Sequence, residues 1–113
     1  MLGAIAGDII GSRFEVIPTK SLDFDLFTDI NTYTDDTVLT VAIADAILRD
    51  IPYERNLLAY GRAYPDAGYG GSFIKWLDGV IRGPYNSYGN GSAMRVSPVG
   101  FAFNTREEVL NEA

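Results

Sequence analysis

Two adjacent carboxylates and a hydroxyl stand together in Thr34-Asp35-Asp36, directly before a long apolar segment. Thr34 suits a helix N-cap, because its hydroxyl oxygen can accept a hydrogen bond from a free amide of the first turn. Asp35 and Asp36 then fall in that first turn, where the helix dipole favours negative charge. Oxygen ligands grouped in this way suit Mg²⁺ or Mn²⁺. Helix capping alone also explains the three residues, so a metal site requires other parts of the chain to converge there.

The composition restricts the chemistry of any such site. The 113 residues include no histidine and no cysteine, which removes the commonest general base and the usual zinc ligands. The net charge of −6 argues against nucleic-acid or anionic-membrane partners, because these require clusters of lysine and arginine. No apolar run reaches the roughly 18 residues of a membrane span, and the N-terminus lacks the basic region of a signal peptide. We therefore expect a cytoplasmic protein with no membrane partner, whose chemistry uses carboxylates and hydroxyls.

The apolar pattern that follows these acids predicts the fold class. Residues 38–48 are apolar on every face, which is typical of a helix in the middle of a domain. We therefore predict an all-α fold, a compact helical domain around a buried central helix at about residues 35–50. Further helices are expected at residues 2–11 and 55–64, from a cap at Ser72 to Gly83, over 98–103, and after a capping box formed by Thr105 and Glu108. Trp76, on the apolar face of the helix that begins at Ser72, is expected to belong to the core. Gly3, Gly7 and Gly11 form a smooth stripe on the first helix, so this helix is expected to pack closely into the core.

Three other polar features deserve a chemical interpretation. Asp8 lies beside the glycine stripe, and we expect its carboxylate to be hydrogen-bonded to a neighbouring helix end. Glu15 stands alone in a loop, where a glutamate is usually solvated. The glycines of residues 89–92 can present backbone amides to an anion, and Arg95 can add a charged fork for phosphate. A plain turn is the alternative for this last stretch.

Four stretches of the chain resemble the ADP-ribosylglycohydrolase family, which includes the dinitrogenase reductase-activating glycohydrolases, and they follow the family's order. They are Gly3-Ala4-Ile5-Ala6-Gly7-Asp8-Ile9-Ile10-Gly11, then Phe14-Glu15, then Thr34-Asp35-Asp36-Thr37, and Gly89-Asn90-Gly91-Ser92-Ala93-Met94-Arg95 with Pro98 and Gly100. The resemblance extends over nearly the whole chain but matches only the N-terminal part of a longer family domain. It implies an all-α fold and a single, incomplete domain over residues 1–113.

The resemblance also implies which residues form the site. Its implied cofactor is a pair of Mg²⁺ or Mn²⁺ ions held mainly by carboxylates. The implied metal ligands are Thr34, Asp35 and Asp36. The implied catalytic residues are Glu15, Asp35 and Asp36. The implied substrate-binding residues are Asn90, Gly91, Ser92 and Met94, with Asp8 left as a supporting residue.

The reaction implied by the resemblance is metal-dependent hydrolysis of the N- or O-glycosidic bond between ADP-ribose and a protein side chain. Its partners would be ADP-ribosylated protein or ADP-ribose. The family's second acidic segment, of the form Asp-x-Asp-Thr, has no counterpart after Asn90, so we expect weak or absent turnover from this short chain. Three interpretations stay open: a truncated enzyme or one completed by a second half, a non-catalytic ADP-ribose or nucleotide-binding module, and a structural remnant that forms homo-oligomers.

Overall fold

The computed structural model describes residues 1–113 and consists of helices joined by loops, without any strand. The helices are α1 (Leu2–Gly11), α2 (Asp35–Arg49), α3 (Tyr53–Ala63), α4 (Gly71–Leu77), α5 (Gly91–Met94), α6 (Ser97–Ala102) and α7 (Arg106–Glu112), with a 3₁₀ turn at Ser12–Phe14. The all-α prediction is therefore confirmed. None of these helices has both the length and the apolar character needed to cross a membrane.

Helix α2 begins and ends as its sequence predicts. The Thr34 hydroxyl oxygen accepts a hydrogen bond from the amide of Asp36 at 3.4 Å, so Thr34 is the N-cap. At the other end, Asp50 adopts a left-handed conformation with a φ of 54°, which stops the helix. The central helix expected at about residues 35–50 is thus present, over Asp35–Arg49.

The core of the protein surrounds α2, which packs against α1, α3, α5 and α6. Leu39 is 1% exposed and Ala42 is fully buried. The buried apolar cluster comprises Val38, Leu39, Ala42, Ile43, Leu57, Ala67, Tyr69, Phe73 and Val99. The prediction that α2 would be buried on every face is too broad, because Leu48 in its last turn is 85% exposed.

Helix α1 forms where it is predicted, but its packing differs from the prediction. It lies against α2, and none of its residues is buried. A Cβ atom placed on Gly3, Gly7 or Gly11 would have no neighbouring atom within 4 Å. The expected close packing through the glycine stripe is therefore wrong for this chain. A stripe of small residues permits a close approach but does not supply the element that approaches.

Helix α4 is shorter than its apolar pattern suggests. It starts after Gly70 without a side-chain cap, so the predicted capping by Ser72 is wrong. It ends at Leu77, because Gly79 adopts a φ of 72° and the amide of Val80 returns to the carbonyl of Lys75 at 2.8 Å. This 6→1 hydrogen bond beside a left-handed glycine is a Schellman ending. The chain is thereby released into an extended loop that forms part of the site described next.

Candidate active site

The start of α2 is tied to α1 by the carboxylate of Asp8. Its Oδ2 atom accepts hydrogen bonds from the amide of Thr34 at 2.8 Å and from the amide of Thr37 at 3.2 Å. The hydroxyls of both threonines also donate to this carboxylate. The predicted hydrogen bonding of Asp8 to a neighbouring helix end is confirmed. Because three of the four bonds reach Oδ2, Oδ1 keeps more capacity for another ligand.

The loop that joins the 3₁₀ turn to α2 is fixed by hydrogen bonds to the end of α1. The side-chain amide of Asn31 donates to the carbonyl of Ile9 at 2.7 Å, and the amide of Thr32 donates to the hydroxyl of Ser12 at 3.1 Å. The end of this long loop that leads into α2 is thereby held beside the C-terminal end of α1, where the loop also begins. Glu15, at the first end, is brought close to the residues that begin α2.

Three carboxylates meet at this junction. One oxygen each of Asp8, Glu15 and Asp36 lies within 4.8 Å of the other two. Asp8 and Asp36 are half-buried and Glu15 is exposed. Glu15 is therefore exposed, as its loop position suggests, but it is not isolated, because its carboxylate lies beside those of Asp8 and Asp36. Three convergent carboxylate oxygens, without histidine or cysteine, form a donor set that fits a hard divalent cation.

The carboxyl groups of this junction destabilise one another's charged forms. Burial, followed by repulsion from Asp36 and Glu15, raises the pKa of Asp35 to about 6. Burial, followed by repulsion from Asp8, also raises the pKa of Asp36. The pKa of Glu15 is raised by burial and then by Asp8 and Asp36. A cation among these groups would relieve both the repulsion and the loss of hydration.

The stability of the metal-free protein is expected to fall as the pH rises from about 4 to about 6. The pKa of Asp35 is 3.8 in its unperturbed state and about 6 in the folded chain. Within this window the folded state binds more protons than the unfolded state, so the free energy of unfolding decreases with pH. Thermal unfolding in EDTA between pH 4 and pH 7 would measure this, and Asp35→Asn should flatten the curve. Equal pH dependence in the wild type and in Asp35→Asn would contradict the prediction.

The acidic junction opens into a cleft with a volume of about 1010 Å³. Glu15, Asp35 and Asp36 line one part of the cleft. The predicted substrate-binding residues also line it, namely Asn90, Gly91, Ser92 and Met94. The acidic residues and the residues at 90–94 are separated by more than 50 residues of sequence. The fold brings them to one cavity because α5 packs against α2.

Thr34 has a different position from the other predicted metal ligands. It is 8% exposed and does not line the cleft. Its hydroxyl donates to Asp8 and accepts from the amide of Asp36. Its metal-ligand role stays a prediction, and its observed contacts are those of a residue that orients Asp8 and the first turn of α2.

Several cleft residues were not identified as site residues from the sequence. Trp76, assigned to the core, packs against the buried apolar cluster and also lines the cleft. Tyr85 and Glu54 line it as well. Aromatic residues beside the glycine-rich stretch were the only available signal, and they are equally typical of a core.

Comparisons with known proteins agree with this geometry. The sequence profile of the ADP-ribosylglycohydrolase family matches residues 1–113. The chain is similar to ADP-ribosylhydrolase ARH3 of Xenopus tropicalis, with 30% identity over 144 residues that cover 100% of this chain and 41% of the relative. The ARH3 proteins of Mus musculus and Homo sapiens are 29% and 26% identical, and in each case 96% of this chain is covered. The chain spans 39% of the mouse protein and 40% of the human protein. Because the family profile matches the whole chain, this protein belongs to the ADP-ribosylglycohydrolase family.

Proposed function

We propose that this chain forms the metal-binding and ADP-ribose-binding part of an ADP-ribosylhydrolase. The reaction would hydrolyse the N- or O-glycosidic bond between ADP-ribose and a protein side chain. The observation that carries this proposal is the shared cleft, in which an acidic junction and the stretch Asn90–Met94 line one cavity. Membership of the family supports the substrate class.

The proposed cofactor is Mg²⁺ or Mn²⁺. Asp36 and Glu15 offer carboxylate oxygens to it, and Asp8 offers its freer Oδ1 atom. Burial, followed by repulsion from Asp36 and Glu15, raises the pKa of Asp35 to about 6, and this proximity to the other carboxylates supports a place for it at the same site. Such ions, when bound, polarise ligand oxygens and lower the pKa of a coordinated water.

The chain's own residues suggest a division of roles. Glu15 is exposed to the cleft, and its raised pKa suits a group that accepts a proton from an attacking water. The negative charges of Asp35 and Asp36 would stabilise the positive charge that develops on the ribose ring as the glycosidic bond breaks. Asn90, Ser92 and their neighbours would hold the rest of the ADP-ribose in position.

Several large apolar side chains in the first 22 residues are exposed, and this exposed surface bears on the proposed partners. Leu2 is 82% exposed, Val16 is 84% exposed and Leu22 is 98% exposed. We propose that a second copy of this chain or a complementing polypeptide covers this surface, because exposed apolar patches favour association. Light scattering of the purified chain should then give a mass above the monomer's 12.3 kDa, or a monomer that binds a complementing polypeptide. The cytoplasmic location stays a prediction.

Binding and turnover of ADP-ribosyl ligands test the proposed function. Calorimetry with ADP-ribose in the presence of Mn²⁺ should show saturable binding that Asn90→Ala with Ser92→Ala weakens. Release of ADP-ribose from an ADP-ribosylated peptide should be slow, and should depend on Mn²⁺. Binding without any release would support the non-catalytic module instead. Absence of both binding and release would contradict the proposal and favour the structural interpretation.

A further inference from the structure

Arg13 lies in the 3₁₀ turn that follows α1, two residues before Glu15. The amide of Glu15 donates a hydrogen bond to the carbonyl of Ser12 at 3.3 Å, which extends the turn to Glu15. The backbone of Glu15 keeps a helical conformation, with a φ of −65° and a ψ of −33°. The position of the Glu15 side chain therefore depends on the contacts that hold this turn in place.

The side chain of Arg13 connects this turn to the returning part of the long loop that leads to α2. Its Nη2 atom donates a hydrogen bond to the carbonyl of Asp25, and its Nη1 atom donates to the hydroxyl of Thr28 at 3.3 Å. Its guanidinium carbon lies 4.5 Å from the centre of the Phe14 ring and 5.7 Å from the centre of the Phe24 ring. The two rings pack edge to face, with their centres 5.0 Å apart. The loop is thus attached to the turn by hydrogen bonds and by cation–π contacts.

The hydrogen bonds of Thr28 continue this connection back to α1. The amide and the hydroxyl of Thr28 both donate to Oδ1 of Asn31, at 2.6 Å and 2.8 Å. The side-chain amide of Asn31 in turn donates to carbonyls in the last turn of α1. A closed ring of contacts therefore runs from Arg13 through Thr28 and Asn31 to α1, and the chain leads from α1 back to Arg13.

Arg13 contacts the loop and not the carboxylate of Glu15. The chain's ion pair is between Arg49 and Asp45, so Arg13 and Glu15 form none. The Nε atom of Arg13 is buried and has no hydrogen-bond partner. The contacts with the loop and the rings therefore determine where Arg13 lies, and the Glu15 carboxylate stays available to the acidic junction.

We propose that Arg13 is a positioning residue, which holds Glu15 beside Asp8 and Asp36 by clamping the loop onto the end of α1. The proposal rests on the metal site of the function proposed above. The three carboxylates have oxygens within 4.8 Å of one another, and their charges repel. A fixed turn is needed to keep the exposed Glu15 beside the other two in the metal-free chain. A carboxylate that is already in place binds a cation at a smaller cost in ordering.

Calorimetric titration with Mn²⁺ and a double-mutant cycle on Arg13 and Glu15 test this role. Arg13→Met removes the guanidinium but keeps an unbranched stem, so Mn²⁺ affinity should fall by about 10-fold. Arg13→Lys should restore part of the affinity, because an ammonium group reaches one of the two acceptors. In a Glu15→Gln background, Arg13→Met should have no further effect. The matched control is Arg82→Met, which removes the same charge from an exposed residue outside the cleft and should bind Mn²⁺ as the wild type does.

Amide hydrogen exchange is a second readout, and it requires no metal. The amides of Thr28 and Asn31 are hydrogen-bonded within the clamped loop. In EDTA, these amides should exchange about 10-fold faster in Arg13→Met than in the wild type, because the loop opens more often. The amides in the middle of α2 should keep their wild-type rates, which shows that the variant is folded.

The outcomes separate this proposal from the proposed function. If the wild type binds Mn²⁺ and Arg13→Met binds it equally well, the positioning role is overturned while the proposed function stands. The role is also overturned if Arg13→Met weakens binding by the same factor in the Glu15→Gln background, because the effect then does not pass through Glu15. If the wild type binds no Mn²⁺, the proposed metal site and the positioning role both fail. Faster exchange at Thr28 and Asn31 would then leave Arg13 as a clamp of the loop alone.

Discussion

Saturable Mn²⁺ binding is expected to disappear when Asp36 is replaced by asparagine. Asp36 provides one of the three carboxylate oxygens that lie within 4.8 Å of one another, and it also lines the cleft. An amide oxygen is a weaker ligand and carries no charge, so the dissociation constant should rise by more than about 100-fold. Calorimetric titration of the wild type and of Asp36→Asn with Mn²⁺ measures the difference.

A matched control removes the same charge elsewhere. Asp23→Asn changes an exposed loop carboxylate that accepts no hydrogen bond, so its Mn²⁺ affinity should equal that of the wild type. Asp36→Asn should also raise the melting temperature of the metal-free protein at neutral pH, because burial and Asp8 disfavour the charge of Asp36 in the folded state. Unchanged Mn²⁺ affinity in Asp36→Asn would exclude the acidic junction as the metal site.

The elements that sequence patterns predicted correctly are those fixed by local chemistry. Thr34 caps α2 through a hydrogen bond to an amide of the first turn. Thr105 and Glu108 form the predicted capping box at the start of α7, with both reciprocal bonds present. In each case the side chain that decides the structure lies within three residues of the group it contacts, so the sequence contains the whole interaction.

Two of the predictions that were wrong are the length of α4 and the close packing of α1. In α4 the apolar spacing obscured the glycine that ends the helix, and in α1 the expected packing partner is absent. The apolar spacing of α4 continues through Val80, but Gly79 ends the helix because a left-handed glycine satisfies the last carbonyls. The glycine stripe of α1 would allow another helix to pack closely against it, yet no atom lies within 4 Å of a Cβ placed on Gly3 or Gly7. Spacing alone shows which face of a helix can pack, and the rest of the fold determines whether it does.

The candidate site was predictable only in part for a related reason. The predicted site residues that line the cleft come from the loop at Glu15, the start of α2 and the stretch at residues 89–95. Their types and the resemblance to a family identified them, whereas their convergence depends on how α1 and α5 pack on α2. Arg95 was recognised as a phosphate-binding candidate, but its isolation among carboxylates is visible only in three dimensions.

Asp8 distinguishes the structural and metal-binding roles of the acidic junction, because its removal should destabilise the protein. Asp8→Ala leaves two amides and two hydroxyls of Thr34 and Thr37 without their acceptor. We expect the free energy of unfolding to fall by about 2–4 kcal/mol and the melting temperature by more than about 8 °C. Thermal unfolding in EDTA measures this, with Asp29→Ala, an exposed loop acid, as the control.

The sign of the change is the informative part of this result. Asp8, Glu15 and Asp36 repel one another, so removing any one charge relieves repulsion in the metal-free protein. If Asp8 acted only as a metal ligand, Asp8→Ala would raise the melting temperature, as expected for Asp36→Asn. A fall shows that its hydrogen bonds to the start of α2 outweigh the repulsion, so that this carboxylate anchors the central helix. A rise would assign the anchoring of α2 to the packing of its apolar residues alone.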